Sequence, residues 1–220
     1  MLNVTADKYQ IVIPDPPSAI ESFVAGKIRE LIAEKSGYLI EILKKAETAG
    51  KNRITIGIKS GINPDDYFAV ASDGVIEMSA GSPVGLVALL LWFEELLENS
   101  ESAVFDKNRL ECSGRVSEGP AKRYEGTELR IMTSNVLFTD SPSFETPYRM
   151  SCLMQTYLLY LPDIIGLQEA RNTQLSALVP YLEAVYATVP FSADDGGQVY
   201  QQILYLKGQY DLVDYGFTRF

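Results

Sequence analysis

The sequence predicts an α/β (α+β) fold in two domains, and three observations carry that expectation. Strand-like and helix-like patterns alternate along the 220 residues. Residues 53–58, RITIGI, put Ile54, Ile56 and Ile58 on one face at a period of two. Residues 115–126, RVSEGPAKRYEG, are polar, contain Gly and Pro and lack periodicity. They divide the chain into a first domain, 1–114, a linker, 115–126, and a second domain, 127–220.

The elements follow in order. Residues 9–14 (YQIVIP) read as a short strand, and Pro16-Pro17 punctuates it. Ser18 and Glu21 form a capping box, in which each side chain satisfies the other's orphan backbone donor. Ile20, Phe23, Val24, Ile28, Leu31 and Ile32 then recur at helical spacing, and Gly37 closes that helix. Residues 38–48 fit helix and strand equally well. Asn63-Pro64-Asp65 is a turn, and 67–71 and 74–79 flank Ser72-Asp73-Gly74 as a hairpin. Ser82 caps a helix with Pro83 at its first position, running to about Glu98. A strand over 109–112 follows.

Past the linker, 129–136 reads as a strand and 139–146 as a Ser-, Pro- and Thr-rich loop. Thr146 caps a helix over 147–161, with Pro147 at its first position. Its apolar side is Met150, Leu153, Met154, Tyr157, Leu158 and Leu161, and Pro162 ends it. Residues 164–168 form a buried strand. Residues 172–179 form a helix that Pro180 stops. Residues 199–206 and 210–215 read as paired strands around Lys207-Gly208.

Composition excludes several chemistries. The chain has no histidine, which removes Ser-His-Asp and Cys-His nucleophile systems and the commonest neutral-pH base. Net charge is −10, with pI near 4.6, and no basic cluster exceeds two residues. Duplex DNA is therefore a disfavoured partner, since affinity for it rests on phosphate neutralisation. Cys112 and Cys152 read as two buried free thiols, with a single disulfide as the alternative; they make no zinc site. No apolar run reaches the roughly 18 residues of a membrane span. The amino terminus lacks a signal-peptide layout, so cytoplasmic placement is the default, and secretion requires a signal already trimmed.

Two segments carry the chemistry: LRIMTSNVLF, 129–138, and LPDIIGLQEA, 161–170. A strand ending in Asn, a helix, then an apolar strand ending in Gln-Glu brings Asn135 and Glu169 to neighbouring strand ends. Such strands lie about 5 Å apart, so both side chains can reach one hard cation. Glu169 is the expected metal ligand; Asn135 joins it as a ligand or orients the phosphate or a metal-bound water. Gln168 bonds locally, and Arg171 reads as a surface arginine.

These segments resemble the endonuclease/exonuclease/phosphatase superfamily, over residues 127–220. Arg149 in the intervening helix and QQILYLKGQYDLVDYG, 201–216, suit the same pattern. The resemblance implies a partial two-sheet sandwich of the DNase I-like type. It also implies magnesium (or manganese) as cofactor and metal-dependent attack of water on a phosphate ester. The ester could be a small molecule, a lipid headgroup or a nucleic acid. The sequence departs from the family where the later motifs belong: no Asp-x-Asn follows Glu169, and no terminal Asp-His occurs. Asp194-Asp195 reads as a solvated turn. The chain as given is thus expected to be incomplete and inefficient, with an exposed half-sandwich prone to self-association.

The first domain has its own resemblance. The order strand, helix, ITIGI, hairpin, then GSPVGLVALLLWFEELL looks like the small accessory α/β domain before the catalytic barrel of glycoside hydrolases such as β-hexosaminidases. That domain does not hold the catalytic carboxylates. Asp65, Asp66 and Asp73 accordingly read as turn residues and Trp92 as core. The alternative function is a non-catalytic, carbohydrate-associated or interaction module. A glycosidase needs two facing carboxylates, and no convincing pair emerges.

Overall fold

The computed structural model describes residues 2–4, 8–44, 50–100, 104–105, 110–122, 129–137, 146–190 and 201–216. They belong to two compact units, Met1–Pro120 and Ala121–Phe220. Both are α/β.

The first unit contains β1 (Leu2–Asn3), β2 (Gln10–Ile13), α1 (Ala19–Ser36), β3 (Ile42–Lys44), β4 (Arg53–Ile58), β5 (Asp66–Ser72), β6 (Val75–Ala80), α2 (Pro83–Glu98), β7 (Val104–Phe105) and β8 (Cys112–Arg115). Six strands form one mixed sheet in the order β3-β2-β4-β6-β5-β8. The strands β3, β2, β4 and β6 run parallel, β5 runs against them, and β8, antiparallel to β5, returns to their direction. The strands β1 and β7 pair separately. Alternation sets the sheet's inner face: Ile11, Ile54, Ile56, Ile76 and Met78 are buried. The two helices bury Val24, Ile28 and Ile32 from α1 and Leu86, Leu89, Leu90 and Phe93 from α2.

The capping box at Ser18 is complete: Glu21 N–H donates to Ser18 Oγ at 3.3 Å, and Ser18 N–H donates to Glu21 Oε2 at 2.8 Å. Gly37 ends α1 at φ 71°, a left-handed conformation that a Cβ would disfavour. The hairpin turns at Asp73 and Gly74, both at positive φ (48° and 83°), matching the twist of the strands it joins.

Several boundaries differ from the sequence reading. The ambiguous 38–48 region contains β3, and residues 45–49 lie outside the described ones. The strand expected at 109–112 is β8, three residues later; residue 109 is not described. The linker also starts later than expected. Arg115 ends β8, and Val116–Glu118 form a 3-10 turn of the first unit. Asp65 holds that turn, accepting from Ser117 N–H at 2.7 Å, while its backbone carbonyl accepts from Val116 N–H at 2.7 Å. Its polar composition reads as linker because the partner that orders it, Asp65, lies 52 residues away from Ser117 in sequence. Trp92 is half-buried; Phe93 is the core aromatic of α2.

The second unit contains β9 (Ile131–Asn135), α3 (Thr146–Tyr160), β10 (Ile164–Gln168), α4 (Asn172–Leu182), β11 (Tyr186–Thr188) and β12 (Gln201–Leu206). Its sheet order is β11-β12-β10-β9, with β9 and β10 parallel and the other pairings antiparallel. Met150, Met154, Tyr157 and Leu158 of α3 and Leu178 and Leu182 of α4 are buried with Ile165, Leu167, Leu204 and Leu206. On the alternate positions of the strands, Ile131 is 60% exposed and Ile203 49%. The described part of this sheet thus leaves apolar side chains in water.

Three expectations fail here. Pro180 does not stop α4, which continues to Leu182. The ring removes one helical donor, yet Glu183 N–H still reaches Val179 O at 2.8 Å. Residues 210–216 form no strand. Their expected partner, β12, already has β10 on one side and β11 on the other, so it has no open edge. The strand β11, three residues with no alternation to betray it, takes that place. Cys152 is exposed on α3 and Cys112 half-buried, and both are free thiols. Burial pushes the Cys112 thiol pKa up. The cap expected at Thr146, most of the 139–146 loop and Asp194-Asp195 lie outside the described residues or side chains.

Candidate functional site: an Asn–Glu pair at two parallel strand ends

The register of β9 and β10 builds the site. Ile131 pairs with Ile164, and four residues later Asn135 pairs with Gln168. Both strands therefore finish together, with Glu169 one residue past the end. In open α/β sheets the carboxyl ends of parallel strands are where ligands bind.

Buried Asp163 sets that register from the other end. Its carboxylate accepts from Arg130 N–H at 2.7 Å, and its own N–H donates to Arg130 O at 2.7 Å. Arg130 also donates to the carbonyls of Tyr160 and Lys122. The Pro-Asp of LPDIIGLQEA is thus a structural clamp. Sequence reasoning passed over it, although an acidic residue directly before an apolar strand was a usable signal.

Asn135 and Glu169 do meet: Asn135 Nδ2 donates to Glu169 Oε1 at 2.7 Å. Asn135 Oδ1 in turn accepts from Leu137 N–H at 2.8 Å. This fixes which way the amide faces, since a flip would set its NH2 against the Leu137 donor. Asn135 is therefore placed as an orienting donor to Glu169, with its oxygen turned onto the backbone. Glu169 supplies the carboxylate of the pair. Among the described residues, no group of three or more His, Cys, Asp or Glu stands ready to hold a metal ion. A single carboxylate still suits magnesium, which often keeps several waters and takes one or two carboxylates plus substrate phosphate.

The backbone carries a second signature. Leu137 and Glu169 both sit at positive φ, 53° and 57°. Side-chain-bearing residues adopt this conformation at a cost of roughly 1–2 kcal/mol each. A left-handed residue thus follows each strand within two positions, and those two residues are linked through Asn135.

Around the pair, Gln168 Nε2 donates to Gly166 O at 3.0 Å, the local bond its position implied. Arg171 is half-buried at the N-cap of α4 and not simply a surface residue. Arg149 Nη2 donates to Leu137 O at 2.9 Å. Tyr157 donates to Ser134 Oγ at 2.6 Å, and burial pushes its phenol pKa up. In the first unit, Asp65 and Asp73 stand in turns and Asp66 begins β5, where Arg115 reaches it at 3.6 Å.

No protein-family model matches the chain. No curated protein matches it either. Solved structures that match the chain in part include a GH20 β-N-acetylhexosaminidase from Streptomyces coelicolor A3(2), at 13% identity, 75% coverage of this chain, 31% of that one and TM-score 0.41. A GH138 enzyme targeting pectin rhamnogalacturonan II matches at 12% identity, 80% and 23% coverage and TM-score 0.48. A GH20 exo-β-N-acetylglucosaminidase from Vibrio harveyi, in complex with N-acetylglucosamine, matches at 12% identity, 82% and 26% coverage and TM-score 0.38. The chain spans less than a third of the length of each of these structures, and at this level of likeness no activity transfers from them. No described helix is long and apolar enough to cross a membrane.

Proposed function

We propose that the second unit carries the cation-binding half of a metal-dependent phosphoester hydrolase, in the manner of the endonuclease/exonuclease/phosphatase superfamily. The reading rests above all on one observation: Glu169, on a left-handed backbone at a parallel strand end, is bonded to Asn135 on the neighbouring strand end. Residues held in sparsely populated backbone conformations cluster at active sites and ligand clamps. Glu169 would hold magnesium (or manganese), and Asn135 would keep its carboxylate aimed. When bound, such a cation supplies Lewis acidity and a template for substrate oxygens. The chain has no histidine to serve as base, so turnover by this polypeptide alone is expected to be poor. The first unit would serve as an accessory domain of the kind found in glycoside hydrolases.

Manganese titration tests the site. The wild type should bind one ion per chain, and Glu169→Ala should weaken that at least about tenfold. Unchanged affinity in Glu169→Ala would remove the site from consideration. The rival reading, a carbohydrate-associated module without chemistry, predicts glycan binding with no response to either cation.

A further inference from the structure

We propose that Arg149 is the positioning residue of the Asn135–Glu169 pair and acts through Leu137. Its importance for function rests on the cation-site reading above; its geometry does not. The chain of bonds is continuous. Arg149 Nη2 holds Leu137 O at 2.9 Å, Leu137 N–H holds Asn135 Oδ1 at 2.8 Å, and Asn135 Nδ2 holds Glu169 Oε1 at 2.7 Å. The weak point is Leu137, which stands at φ 53° with a bulky side chain. Left alone, it would relax toward ordinary negative φ. Its N–H would then turn away, and the Asn135 amide would be free to rotate off Glu169. The Arg149 bond to its carbonyl opposes that relaxation.

A second observation separates positioning from simple stabilisation. Arg149 Nε and Nη1 are both shut off from solvent, and neither has a hydrogen-bond partner among the described residues. Unpaired buried donors on a charged group oppose folding. A residue kept for stability alone would not leave two of them without a partner among the described residues. Arg149→Met keeps most of the volume and removes those donors along with the hold on Leu137.

The test uses the full chain and three readouts. In Arg149→Met the melting temperature should stay or rise. Manganese affinity should fall roughly 10- to 100-fold, as for other groups that orient a ligand. The Asn135 side-chain NH2 signals, assigned by their loss in Asn135→Asp, should lose hydrogen-exchange protection. Adding Leu137→Gly should restore both site readouts, because glycine adopts positive φ without being held. A fall in melting temperature with manganese affinity and Asn135 protection intact would overturn the proposal, as would an Arg149→Met chain that cannot fold. If the wild type binds no manganese, the cation reading fails separately. The Asn135 signals then decide: protection lost in Arg149→Met upholds the positioning role, and protection retained overturns it.

Discussion

Glu21 and Glu169 are two carboxylates beside the ends of parallel strands, used in opposite ways. Glu21 is 5% exposed and fully committed. It accepts from Ser18 N–H and Ser18 Oγ, both at 2.8 Å, and from Ile58 N–H at 2.9 Å, so it closes a helix start and a strand end together. Its own backbone is helical. Glu169 is half-buried on a left-handed backbone and receives a side-chain amide. Residue type and sheet position are alike. What distinguishes a structural carboxylate from a candidate ligand is who donates to it and whether its backbone is relaxed.

The largest effect should therefore come from the first unit. Glu21→Ala removes a cap and leaves the Ile58 N–H without its acceptor, which together should cost about 2–4 kcal/mol. Urea unfolding of the full chain reads it directly. A loss below about 1 kcal/mol would mean that water replaces the carboxylate, and the contrast with Glu169 would collapse.

Asp163 sharpens the contrast within one motif. It lies six residues before Glu169 and is 1% exposed. Asp163→Ala should cost about 2–3 kcal/mol through the lost Arg130 N–H bond. Glu169→Ala should cost less, because its bond to Asn135 is exposed. Equal losses in thermal melts of the two variants would show that Glu169 too is structural.

This difference also explains what the sequence could reveal. Every described secondary-structure element with strong local grammar was legible: the Ser18–Glu21 box, the alternation of RITIGI, the Asp73-Gly74 turn and the Ser82-Pro83 helix start. The pairing of Asn135 with Glu169 was legible because two short motifs fixed both strand ends. What escaped depended on distant partners. Nothing near Ser117 announces Asp65, and nothing in Tyr186–Thr188 announces that it fills the edge beside β12. Positive φ at Leu137 and Glu169 was equally hidden, since neither residue type signals a left-handed backbone.

That hidden strain yields a smaller effect of opposite sign. Glycine adopts positive φ freely, whereas alanine bears the Cβ penalty. Glu169→Gly should be more stable than Glu169→Ala by about 1 kcal/mol, with both defective in manganese binding. Identical melting temperatures would place the backbone strain elsewhere.

The smallest effect concerns Asp65, the first unit's latch on the 115–118 turn. Partial burial opposes its ionisation, but the Ser117 hydrogen bonds and the Arg115 charge at 2.9 Å outweigh that and hold its pKa below the ordinary 3.8. A depressed carboxyl pKa stabilises the fold fully above the unfolded-state value, and that contribution is lost as pH falls through the lower folded value. Asp65→Asn should therefore cost under about 1 kcal/mol at pH 7, since the pair is partly exposed. The gap from wild type should close once the pH drops well under 3.8. A gap that persists in acid would assign the latch to the shape of the Ser117 contacts and leave the charge no part in it.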